Sequence, residues 1–61
     1  MMNEFKKGDV VICVNNGQVK STLETGSKYV VLGYSMFGRV RVVNDVGEVG
    51  AYYPERFSLV L

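Results

Sequence analysis

The sequence predicts a small all-β domain built from five short strands, and three observations carry that reading. Glycine or proline interrupts almost every window long enough to hold three helical turns. The apolar residues are mainly valine, tyrosine and phenylalanine, which fit a pleated sheet better than a helix. Glycine-bearing turn tracts at Asn15–Gly17, Thr25–Ser27, Ser35–Gly38 and Asn44–Gly47 divide the chain into short runs.

The first strand is expected over Asp9–Val14, opened by Gly8-Asp9 and closed by Asn15-Asn16-Gly17, whose residues tolerate positive φ. It is apolar on both faces, as in a strand that passes beneath another segment. A polar excursion from Gln18 to Ser27 follows, with Leu23 its single candidate for burial. Gln18-Val19-Lys20 can extend, so the excursion has room for a short hairpin. The second strand reads Lys28–Tyr34 and the third Arg39–Val43. Asn44-Asp45-Val46-Gly47 then favours a hairpin into a fourth strand, Glu48–Tyr52. Tyr53-Pro54-Glu55-Arg56 suits one turn of 3₁₀ helix, because proline cannot donate to a ladder but starts a helical turn well. Ser58–Leu61 closes as a last strand, with Phe57, Leu59 and Leu61 alternating against Ser58 and Val60.

Sixty-one residues hold one domain, 1–61, with Met1–Lys7 read as an N-terminal arm. A chain this short buries only roughly 60% of the surface its unfolded form exposes. Such domains lean on disulfides, metals, partner subunits or a closed sheet. With no histidine and Cys13 as the single cysteine, neither an internal disulfide nor a thiolate zinc site can be built. No metal and no cofactor are therefore expected, and Cys13, between Ile12 and Val14, reads as a small core hydrophobe. No apolar run approaches the ~20 residues of a membrane helix, and the first residues do not read as a signal peptide. The expectation is a cytoplasmic protein with no membrane partner.

The order of events resembles the SH3 family, and particular residues carry the resemblance. Leu23, Gly26 and the run Tyr29, Val31, Leu32 stand where SH3 domains place a leucine, a glycine and an apolar strand after their long first loop. Ala51-Tyr52-Tyr53-Pro54-Glu55-Arg56-Phe57 looks like the family's closing signature of glycine, aromatic, apolar, proline and, three residues on, tyrosine. The resemblance implies a five-stranded SH3-like barrel with one 3₁₀ turn before the last strand. It also implies a binding face in the region of Pro54. There Phe57 lacks the tyrosine hydroxyl, Gly38-Arg39 replaces the family's tryptophan, and the acidic cluster of the long loop is reduced to Glu24. The resemblance thus carries a face without the residues that dock proline-rich peptides. The Gly8-Asp9 start, the Asn44–Gly47 turn and the closing Arg56-Phe57 also resemble small proteins encoded by bacteriophages. That likeness implies a host protein as partner and the host cytoplasm as location.

Catalysis finds no support. Histidine, the usual base at neutral pH, is absent, and the carboxylates fall mostly in predicted turns and ends. No glycine opens a helix behind a lysine and a hydroxyl, so there is no phosphate loop. Binding is left to the aromatic set. Tyr29, Tyr53 and Phe57 are assigned to the core, and one of Tyr52 and Tyr53 must face outward by alternation. The expected protein-binding surface is Tyr34, Phe37, Arg39, Tyr52 and Pro54, with Arg39 stacking on the rings. The alternative folds Phe37 inward as a lid and packs Tyr52 beneath the long loop. A nucleic-acid reading would use Lys28, Arg39 and Arg41 on phosphates with Tyr34 or Phe37 stacking on bases. It must contend with seven basic against six acidic residues, a net charge of only +1. The surplus of valine, with both faces of 10–14 and 29–34 apolar, requires that either the long loop or a second subunit cover the outer face, and a homodimer is the expectation.

Overall fold

The computed structural model describes residues 5–60. Five antiparallel strands form one sheet: β1 (Val10–Cys13), β2 (Lys28–Tyr34), β3 (Val40–Val43), β4 (Val49–Tyr52) and β5 (Phe57–Leu59). A single 3₁₀ turn, Pro54–Arg56, precedes β5. The order across the sheet is β4-β3-β2-β1-β5, so β4 and β5 are its two edges. β2 is the pivot. Its first half pairs with β1 (Val10 opposite Val30), and its second half pairs with β3 (Val31 opposite Val42), with a register shift between Val31 and Gly33.

The predicted strands thus form within a residue or so of their expected ends, and β2 matches throughout. β5 starts one residue early, at Phe57, because Pro54–Arg56 completes its turn there and returns an extended backbone. Leu61 lies outside the described residues. Leu59 sits opposite Val11 on the inner face but remains 41% exposed at the sheet edge. Of the expected arm over 1–7, residues 1–4 lie outside the described residues, whereas Phe5 is a core residue whose N–H donates to the Tyr34 hydroxyl.

The inner face collects Val11, Cys13, Tyr29, Val31, Val40, Val42, Tyr52 and Phe57, closed by Phe5 and Leu23. Phe57 lies between two tyrosines, with both ring centroids 6.2 Å away in edge-to-face geometry. Cys13 is a free, buried thiol used as a hydrophobe. The outer face keeps apolar cross-strand pairs in view: Val10 with Val30 on β1 and β2, and Val43 with Val49 on β3 and β4.

The long loop folds as a plug. Instead of a hairpin at Gln18–Lys20, it makes a tight turn in which the Val19 carbonyl accepts from the N–H groups of Thr22 and Leu23. That turn delivers Leu23, fully buried, into the core, while the Asn16 side chain donates to the Leu23 carbonyl. Asp45 then ties the β3–β4 turn to this loop, its N–H donating to the Thr22 carbonyl and its carboxylate accepting from the Tyr29 hydroxyl at 2.8 Å. Burial, together with the Asp45 carboxylate, pushes the Tyr29 phenol above its usual 10.0, against the opposing pull of the Glu24 N–H it accepts.

Two glycines are required by geometry. Gly47 closes the Asn44–Gly47 turn at φ 81°, in the left-handed region, with its N–H on the Asn44 carbonyl. Gly50 lies beneath the Tyr52 ring: a Cβ there would stand 2.6 Å from the Tyr52 hydroxyl oxygen and 2.8 Å from two ring carbons. The ring cannot swing aside freely, because its hydroxyl accepts from buried Asn44, whose own Oδ1 holds the N–H groups of Val46 and Glu48. Gly50→Ala is therefore expected to destabilise the fold by about 1–3 kcal/mol through overpacking. A urea titration that gives an unchanged midpoint would show that the ring has somewhere else to go.

Candidate functional site

The β3–β4 register decides which tyrosine faces solvent. Val40, fully buried, stands opposite Tyr52, so Tyr52 points inward and Tyr53 outward. This corrects the core assignment of Tyr53, which is 53% exposed; Tyr52, expected in the binding surface, packs in the core and also lines the smaller of two hollows beside Tyr53. Arg39 precedes Val40 and takes the outer face, the same as Tyr53. Its guanidinium carbon lies 4.7 Å from the Tyr53 ring centroid, and its Nη2 donates to the Tyr53 hydroxyl at 3.2 Å. The stack follows directly from the hairpin pairing.

A second arginine lines the same region. Arg56 ends the 3₁₀ turn, and its Nη1 donates to the carbonyls of Asn15 and Gly17 in the long loop, at 3.2 and 2.8 Å. The loop carbonyls are presented by an Asx turn in which the Asn15 side chain accepts from the Gly17 N–H. The Val14 N–H, on the Arg56 carbonyl, joins the same two segments through backbone. Tyr53 is thereby held as a wall between two hollows. The larger, about 540 Å³, is lined by Asn15, Gly17, Gln18, Tyr53, Glu55 and Arg56. The smaller, about 150 Å³, is lined by Val19, Arg39, Ala51, Tyr52, Tyr53 and Arg56.

The other expected site residues scatter. Pro54 is half-buried, starts the 3₁₀ turn after Tyr53 and lines neither hollow. Tyr34 is 38% exposed at the end of β2, with its hydroxyl engaged by the Phe5 N–H. Phe37 is 82% exposed on the Ser35–Gly38 connection, so it is no lid, and the neighbouring Met36 is 89% exposed. Arg41 shares the outer face with Arg39, across from Gly33 and Ala51. Lys28 begins β2, opposite Ile12. Gly33 is five steps along the strand from it, roughly 16 Å at the usual rise, so the structure does not bring Lys28 to Arg39 and Arg41.

Arg56, Asn15, Gly17, Val19 and Ala51 were not among the residues expected in the site. Ala51 had a visible signal, since strand alternation puts it on the same face as Tyr53. The carbonyls that hold Arg56 had none, because backbone acceptors carry no side-chain signature. Among the described residues no group of three metal-ligating side chains converges, and no helix is long and apolar enough to cross a membrane. Comparison with family models, with curated proteins and with solved structures finds no match to this chain.

Proposed function

We propose that the chain is a non-catalytic interaction module of SH3-like architecture, which binds a protein partner through the groove walled by Tyr53. The strand order β4-β3-β2-β1-β5, the long plugged loop after β1 and the 3₁₀ turn before β5 support that architecture. The observation that carries the functional reading is the exposed Tyr53 ring, held by Arg39 and lining the same hollow as the loop-anchored Arg56. A large ring fixed in solvent costs little further entropy on binding and offers both apolar area and a polar tip, as hot-spot tyrosines do. The groove lies where the SH3 resemblance implies a binding face. If the likeness to bacteriophage proteins reflects origin, the partner is a host protein met in the host cytoplasm. A homodimer would form on the outer valines, Val10 with Val30 and Val43 with Val49.

The test is site-specific photo-crosslinking from position 53, with position 28 as control, in a lysate of the source cells. Position 53 is expected to give a discrete protein adduct that excess wild-type chain competes away and the Tyr53→Ala chain does not. Adducts equal at both positions, or adducts destroyed by nuclease, would contradict protein binding at this groove.

A further inference from the structure

The smaller hollow is lined by two guanidinium groups and no carboxylate; the nearest acid in sequence, Glu55, lines the larger hollow instead. Each guanidinium is fixed through one nitrogen. Arg39 uses Nη2 on the Tyr53 hydroxyl, and Arg56 uses Nη1 on the Asn15 and Gly17 carbonyls. The remaining N–H groups of both forks are left for a ligand. The rest of the lining is Tyr53 itself, Ala51, which leaves room, and Val19 and Tyr52, which pack against the core. Two like charges held beside one small hollow repel each other, and an anion between them would relieve that repulsion.

We infer that this hollow is an anion pocket that takes the carboxylate of an acidic side chain on the partner, so that the module recognises an acidic segment. The inference rests on the protein-binding reading of the groove and names the chemistry of what binds there. A carboxylate between two pre-positioned arginines forms charge-assisted hydrogen bonds, the stronger kind, without ordering either side chain anew. A peptide is favoured over a nucleic-acid strand because continuous phosphate binding needs a track of cations, and Lys28 lies at the far end of β2.

The test titrates the isotope-labelled full chain with acetylated hexaglutamate, with hexalysine and with a ten-nucleotide oligo-dT at ~50 mM salt, where non-specific phosphate binding is strong. Hexaglutamate is expected to give saturable shifts at the Ala51 and Tyr53 amides and at the side-chain Nε–H of Arg39 and Arg56. Arg39→Gln should weaken that binding about tenfold or more, the worth of one charge-assisted bond. Lys28→Gln, which removes the same charge elsewhere, should leave it unchanged. Equal weakening by the two variants would mean that only net charge is sensed, and would overturn the pocket. So would tighter binding of oligo-dT, or shifts with hexalysine alone. A thermal melt of each variant establishes that it is folded. The two readings fail separately. A partner captured at position 53 that binds the Arg39→Gln chain with undiminished affinity removes the carboxylate assignment and leaves protein binding in place. Hexaglutamate binding at the pocket, with no protein captured at position 53, does the reverse.

Discussion

Phe57→Ala is expected to cost about 3–5 kcal/mol, the usual range for a buried phenylalanine. Phe57 is 2% exposed and its ring is the shared neighbour of Tyr29 and Tyr52, each 6.2 Å away edge-on. The side chain also joins β5 to the rest, since Phe57 pairs with Cys13 on β1. Truncation therefore removes apolar burial and two aromatic contacts, and leaves a cavity where the edge strand meets the core. A domain of this size holds about 3–5 kcal/mol in all, so the variant should be largely unfolded at room temperature. A melting midpoint within a few degrees of the parent would mean that β5 closes the sheet by backbone pairing alone.

Leu23→Ala should cost about 2–5 kcal/mol, although Leu23 belongs to no strand. It is fully buried and is the residue through which the long loop enters the core. Its loss would also release what the loop supports. The same loop offers the Asn15 and Gly17 carbonyls to Arg56 and contributes Val19 to the smaller hollow. In whatever fraction stays folded, the Val19 and Leu23 amides should exchange with solvent faster than those of β2 and β3. A Leu23→Ala chain with native stability and unchanged exchange would show the loop to be an ornament on a core complete without it.

The strands were legible because valine, tyrosine and phenylalanine fall in short runs punctuated by turn residues, and the turns at Asn15–Gly17 and Asn44–Gly47 end β1 and β3 near their expected bounds. Leu23 was legible as well, being the one large apolar side chain near the middle of a polar stretch. The reversal of Tyr52 and Tyr53 has a different origin. Alternation says that the two differ but not which is inside; that is fixed by register. Counting back across the Asn44–Gly47 turn puts Tyr52 opposite Val40, and the burial of Val40 then decides. Tyr53 precedes the 3₁₀ turn as an extended residue, so it stays in strand alternation with Tyr52. Phe5 escaped because a lone phenylalanine among lysines gives no periodic signal, and its burial depends on tertiary contact with the end of β2. The site was half visible. Arg39 and Tyr52 were expected in it, but Arg56 joins them through backbone carbonyls some forty residues away in sequence.

The central claim is that the partner sits against Tyr53, between the long loop and the β3–β4 face. The direct measurement is the footprint on backbone amides when the partner captured through position 53 is added to the labelled chain. The expected perturbations are at Gly17–Val19, Arg39, Ala51 and Tyr53–Arg56, with Val10, Lys28 and Val30 unmoved. A footprint centred instead on Val10, Val30, Val43 and Val49 would place the partner on the outer valine face and contradict the account.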